Sequence, residues 1–194
     1  MQENQEKRRL IIGMSGASGA PLAIELLQQM QIYRKSTELH FIMTRGAERT
    51  LSQETQYKIE DLKQLTDSWY DNKNIGAGPA SGSFMTIGMI VIPCSMKTLA
   101  GIVTGYSDNL LLRAADVTLK ERRKLVLVTR ECPLGLVHLR NMYEAGKMGA
   151  VILPPMLSYY NHPESIADCN KHIVGKIMDQ FGYEMNGYRR WSNV

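Results

Sequence analysis

The chain is expected to fold as an α/β protein of three layers, with helices on both faces of a mostly parallel, doubly wound sheet. Short apolar runs of strand length alternate with amphipathic stretches of helix length over most of the 194 residues. The connections between them are short, which favours βαβ crossovers. The strand candidates are also nearly continuous apolar runs with weak alternation, as strands covered on both faces are.

Residues 1–8 are polar and are expected to form a flexible arm. Leu10-Ile-Ile12 then reads as a buried strand. Gly13, Gly16 and Gly19 follow at three-residue spacing, with Ser15 and Ser18 between them. Leu22, Ile24, Leu26, Leu27 and Met30 then recur at helical spacing, and Pro21 is tolerated in a first turn. Strand, glycine-serine turn and helix make a unit whose turn can hold an anion, because glycines admit close approach and a helix start offers N–H groups. The spacing is G-x-x-G-x-x-G, neither the dinucleotide fingerprint nor a Walker motif. The next strand, Leu39–Met43, ends in Thr44 and not in an acidic residue, which favours a mononucleotide over a dinucleotide. A purely structural role, tight packing of strand on helix, stays open for the glycines.

Thr44 stands before a helix running to about Ser52, where its hydroxyl either caps the helix or reaches a ligand. Residues 56–74 are polar, anchored by Leu62, Leu65 and Trp69. The glycine-serine loop Ile75–Phe84 leads to the strand Met89–Pro93. Directly after it, Cys94-Ser-Met-Lys-Thr-Leu-Ala-Gly101 opens a helix with Ser95 and Thr98 in its first turn. This is a second strand-to-helix anion site, and two such turns can converge at the carboxyl edge of a parallel sheet. Lys97 adds a charge there, or is merely solvated.

Asn109–Glu121 is a helix whose basic end, Lys120-Glu-Arg-Arg-Lys124, needs no ligand, since cations suit a helix C-terminus. Leu125–Thr129 is the clearest strand and runs into Arg130-Glu131 at the edge where a site would lie. A helix over Leu136–Lys147 and a strand over Ala150–Pro154 follow. Tyr159 and Tyr160 occupy the next loop, either packing or walling a pocket. The last helix, about Ser165–Phe181, carries Lys176. Residues 183–194 are expected to form a tail with Tyr188 and Trp191 at a subunit interface.

Composition narrows the function. A hydrophobic content of 44% with 22% charged residues suits one soluble domain spanning 1–194. The net charge of +4 without a lysine-rich tail fits anionic small molecules and argues against nucleic acid. Three scattered cysteines, Cys94, Cys132 and Cys169, point to reduced thiols in a cytoplasmic protein. The beginning of the chain is too polar for a signal peptide, and no apolar run approaches the ~18 residues of a membrane span. His40, His138, His162 and His172 have no ligand spacing, so no metal site is expected.

Several stretches taken together resemble the flavin prenyltransferases of the UbiX/Pad1 type: Gly13-Met-Ser-Gly-Ala-Ser-Gly-Ala20, Pro93-Cys-Ser-Met-Lys-Thr-Leu-Ala-Gly101, Arg113 to Arg123, and Arg130-Glu131. The likeness runs from about Arg9 to Trp191 and is strongest to the B subunits of hydroxyarylic (phenolic) acid decarboxylase systems. It implies a Rossmann-like or flavodoxin-like subunit of a homo-oligomer, typically a dodecamer. Such a protein joins the dimethylallyl group of dimethylallyl phosphate to N5 and C6 of reduced FMN, without metal, and supplies prenylated FMN to a UbiD-type decarboxylase. The resemblance carries FMN contacts to Gly16, Ala17, Ser18, Thr44, Ser95, Met96, Lys97, Thr98 and Arg130. It carries prenyl-phosphate contacts to Lys120, Tyr160 and Lys176, and acidic active-site positions to Glu54 and Glu131. Ser18, Glu54, Lys120 and Glu131 are the catalytic candidates, with Glu131 and Ser18 moving the proton. Lys176 stands where the family typically has arginine, keeping the charge but losing the bidentate fork. Two other readings compete: a flavin-dependent cysteine decarboxylase, whose P-x-M-N segment is here Pro154-Pro-Met-Leu157, and a non-catalytic FMN carrier.

Overall fold

The structure is a computed structural model that describes residues 7–188, 190 and 191. Its strands are β1 (Arg8–Met14), β2 (Thr37–Met43), β3 (Ser68–Asp71), β4 (Gly88–Cys94), β5 (Lys124–Thr129) and β6 (Val151–Ile152). They form one sheet, parallel throughout, in the order β3-β2-β1-β4-β5-β6. Among the described residues, seven α-helices connect or flank them: α1 (Ala20–Gln29), α2 (Arg45–Glu54), α3 (Ile59–Gln64), α4 (Met96–Thr104), α5 (Leu110–Lys120), α6 (Leu136–Lys147) and α7 (Ile166–Asp179).

The layers follow from strand alternation. Leu10, Ile12 and Met14 of β1, with Phe41, Ile92 and Val128 of the neighbouring strands, face one side and pack against α1, α2, α3 and α7. Ile11, Met89, Val91, Leu125 and Leu127 face the other side and pack against α4, α5 and α6. Both faces are dry, so the strands show no polar stripe. The chain moves outward from β1 through β2 to β3, then returns to lay β4 on the other side of β1. That reversal opens a crevice at the carboxyl ends of β1 and β4, the place where ligands bind in such sheets.

Four details differ from expectation. Residues 56–74 contain α3 and the edge strand β3, which has no apolar run; Trp69 instead stacks on Phe41 with ring centroids 4.8 Å apart. The strand expected over Ala150–Pro154 pairs only at Val151 and Ile152. Arg8, assigned to the arm, begins β1, while residues 1–6 lie outside the described residues. Of the expected tail, Tyr183 and Met185 are buried in the core beside α7, and residues 189 and 192–194 lie outside the described residues. Among the described residues, no helix is long and apolar enough to cross a membrane.

Candidate functional site

Three turns meet at the crevice, and serine and glycine set their spacing. The buried Ser15 hydroxyl donates to the Pro93 carbonyl (3.0 Å) and accepts from the Ser95 N–H (2.8 Å), so it ties the end of β1 to the end of β4. Gly16 lies against Gly46 at the start of α2; a Cβ on Gly16 would come within 2.8 Å of the Gly46 Cα. Only two glycines allow these backbones to approach so closely. Ser95 caps α4 by accepting from the Thr98 N–H (3.2 Å), and its hydroxyl donates to the Thr98 hydroxyl (3.0 Å). Thr44 caps α2 by accepting from the Ala47 N–H (3.2 Å). It also lines the adjoining cavity, so capping and ligand contact are compatible at this residue.

Two cavities flank the turn of β1 into α1. The first, of about 610 Å³, is lined by Gly16, Thr44, Gly46, Ser95, Lys97 and Thr98, with Leu112, Ala100 and Gly101 as its apolar wall. Its volume is in the range of cofactor pockets. A cradle that glycine Cβ atoms would fill, two capped helix starts and the Lys97 ammonium together fit a flavin mononucleotide with an anionic phosphate. Asn72, Arg45, Tyr106, Asp108 and Asn109 also line it. Sequence reading missed Asn72 because it missed β3; the Asn72 side chain accepts from the Leu111 N–H (2.9 Å) and fixes the start of α5 against this cavity.

The second cavity, of about 480 Å³, holds four polar residues, Ser18, Glu54, Arg130 and Asn170, within an apolar wall that includes Leu22, Leu157, Ile166 and Ile173. Here the expectation that the start of α1 offers its N–H groups to a ligand anion needs correction. The Glu54 carboxylate, arriving from the end of α2, accepts from the N–H groups of Gly19 and Ala20, both at 2.9 Å. This internal anion satisfies donors that glycine at the cap cannot. Burial pushes the Glu54 carboxyl upward, but bonds from the Ser18 hydroxyl and from Gly19 and Ala20, with the Arg130 charge, outweigh it. Glu54 is therefore held below the usual carboxylate value. At neutral pH it is an anion.

The remaining site candidates sort by position. Of the expected FMN contacts, Met96 turns its side chain into the core on the α4 face, leaving its backbone as the part available to a ligand. The Ala17 N–H is used within the turn, donating to the Ser15 carbonyl (2.9 Å). Glu131 is exposed and accepts from the N–H of Cys132 (3.0 Å), beside but outside the lining of either cavity. Tyr160 pairs through its hydroxyl with His172 Nε2 (3.3 Å), and Lys176 lies further along α7; neither lines the second cavity, whose α7 wall is Ile166, Asn170 and Ile173. Lys120 is not brought to the site. It ends α5 at the amino edge of the sheet, paired with Glu121 near Gly82. The six residues of β5 separate that edge from Arg130 by about 20 Å. The adjacent Arg123 is also no solvated helix end: it donates to the carbonyls of Gly82 (2.6 Å) and Phe84 (2.8 Å) and ties down the glycine-serine loop.

Known proteins give this arrangement its place. The Flavoprotein family profile matches residues 1–180. A probable UbiX-like flavin prenyltransferase from Sedimentibacter hydroxybenzoicus is 52% identical, over 96% of this chain and 98% of that protein. A dodecameric FMN-dependent UbiX-like decarboxylase from Escherichia coli O157:H7 superposes with a TM-score of 0.93 at 50% identity, covering 95% of this chain and 100% of its own. AnUbiX (PadA1), solved with FMN and dimethylallyl pyrophosphate, gives 0.94 at 43% identity, covering 97% and 100%. The chain belongs to the flavoprotein family, in its UbiX/Pad1 group of flavin prenyltransferases.

Proposed function

We propose that this chain is a flavin prenyltransferase that joins the dimethylallyl group of dimethylallyl phosphate to N5 and C6 of reduced FMN. The observation that carries the reading is the pair of cavities on either side of one glycine turn. One has a polar cradle for a flavin phosphate; the other has an apolar wall around Arg130 and Glu54. Reduced FMN, when bound, supplies the nucleophilic ring positions. The first cavity holds it by Gly16, Thr44, Ser95, Lys97 and Thr98, with Ser18 and Arg130 at the boundary with the second.

The chain's own groups then act on the prenyl donor. Leu22, Leu157, Ile166 and Ile173 offer apolar surface to the isoprenoid carbons. Arg130, Lys176 and the Tyr160 hydroxyl bind the phosphate and stabilise its departure. Glu54, ionised and fixed by three donors, places a negative charge beside the allylic carbon as positive charge develops there. Being an anion, it does not serve as the acid. Glu131 is the group that moves the proton, with Ser18 beside Glu54 as its relay. Leu157 at the end of Pro154-Pro-Met-Leu157 is part of the prenyl wall, which suits this reading and not cysteine decarboxylation.

Lys120 acts from a second copy of the chain. Its distance from Arg130 of its own chain supports this reading, and the E. coli relative is dodecameric. The same assembly is proposed here, in the cytoplasm, with a UbiD-type decarboxylase receiving the prenylated FMN. Replacing Glu131 by Gln or Lys120 by Ala is expected to slow prenyl transfer at least tenfold, equivalent to about 1.4 kcal/mol of transition-state stabilisation. Wild-type turnover in both variants would refute the assigned roles.

A further inference from the structure

The Tyr160 hydroxyl reaches Nε2 of His172, on α7, at 3.3 Å. The two rings meet edge-on with centroids 5.5 Å apart. Each has a further aromatic neighbour: Trp191 lies 5.2 Å from the Tyr160 ring and Tyr188 lies 5.4 Å from the His172 ring, both edge-on. His172 is only 6% exposed, and its other ring nitrogen, Nδ1, is buried with no hydrogen-bond partner among the described residues. Burial first, then the Lys176 charge, holds the imidazole below its ordinary value, so at neutral pH it carries a single proton. That proton has two places to go. On Nδ1 it would be a buried donor without an acceptor, the rarer and costlier fault. On Nε2 it meets the Tyr160 oxygen, and Nδ1 keeps only an unused lone pair.

We infer that His172 is a positioning residue for Tyr160: its Nε2–H donates to the phenol oxygen, which leaves the phenol's own proton to be donated to the prenyl phosphate. The inference rests on the phosphate-binding role given to Tyr160 above. A hydroxyl that accepts a hydrogen bond from a fixed donor has its O–H turned away from that donor. Tyr160 is 41% exposed, so the O–H is open to an acceptor from outside the chain. The opposite tautomer would draw the phenol proton onto Nε2 and offer the phosphate only an oxygen.

The test is steady-state prenylation of reduced FMN by the full chain, with dimethylallyl phosphate varied, for Tyr160→Phe, His172→Phe, His172→Gln and the double variant with Phe at both positions. Rates are taken per FMN-loaded site, so loss of folded protein does not register. Tyr160→Phe is expected to lower kcat/KM for dimethylallyl phosphate about tenfold, the effect of one charge-assisted hydrogen bond. His172→Phe keeps an aromatic ring but no donor, and is expected to lower it about threefold. His172→Gln places an amide N–H at the reach of Nε2 and restores kcat/KM to within about twofold of wild type. The double variant matches Tyr160→Phe, because the imidazole acts through the hydroxyl. Additive losses in the double variant, no recovery with Gln, or an unchanged kcat/KM in His172→Phe would overturn the positioning role. An unchanged kcat/KM in Tyr160→Phe would overturn the phosphate role on which it rests, and absence of prenyl transfer by the wild type would overturn the proposed function itself.

Discussion

Two residues hold the crevice in shape from opposite ends of the polarity scale. Ser15 is 1% exposed, and its hydroxyl serves both the Pro93 carbonyl and the Ser95 N–H. Ser15→Ala leaves a buried donor and acceptor unpaired and is expected to cost about 1–3 kcal/mol, read by chemical denaturation at constant m-value. Glu54 is the charged counterpart. Its Gly19 and Ala20 contacts act as a cap for α1, so Glu54→Ala is expected to lose about 1 kcal/mol at neutral pH. Because the folded state lowers its pKa from the usual 4.5, that contribution is complete above about 4.5 and is lost as pH falls through the folded value. Thermal denaturation against pH should show the variant and wild-type curves converging on the acid side. A constant gap down to the acid limit would mean that the charge does not contribute. Neither role is announced locally in the sequence. Ser15 looks like any turn serine, and Glu54 lies 35 positions from the Gly19 amide it binds.

At the level of elements, the turns of β1, β2 and β4 work as one piece because glycine faces glycine at Gly16 and Gly46. Gly16→Ala is expected to push these turns apart and weaken FMN binding at least tenfold, measured by flavin fluorescence titration, with a smaller effect on melting temperature. Strong binding in this variant would show that the flavin does not use the cradle. The sequence made these elements readable where burial is symmetric: the apolar runs of β1, β2, β4 and β5 stand where they are expected, and the helices expected to begin near Thr44, Ser95, Asn109 and Ser165 do so, each with that residue as its cap. β3 was illegible because its four residues hold an edge by stacking Trp69 on Phe41, a contact between strands that no local pattern contains. Met96, expected as a flavin contact, turns its side chain into the core, whereas Ser95, Lys97 and Thr98 of the same turn line the cavity.

For the whole molecule, chain direction decides what one copy can do alone. α5 runs against the strands, so Lys120 ends at the opposite edge from Arg130, although the family resemblance places both in one site. An assembly that brings one copy's α5 end to another's crevice resolves this. Exposed apolar residues around the second cavity, Met156 and Ile166 among them, offer surface for such contacts. Mixed oligomers test it directly. Lys120→Ala and Arg130→Ala, each expected to be strongly impaired by itself, are expected to regain part of the activity when refolded or co-expressed together, since some sites then receive both intact residues. No recovery in demonstrably mixed assemblies would place Lys120 outside the reaction.

The central claim is prenyl transfer itself. Purified protein incubated anaerobically with reduced FMN and dimethylallyl phosphate, without added metal, should release a flavin heavier by one dimethylallyl unit in mass spectrometry. Release of unmodified FMN only, with dimethylallyl pyrophosphate also failing as donor, would contradict the account and leave a protein that binds flavin without altering it.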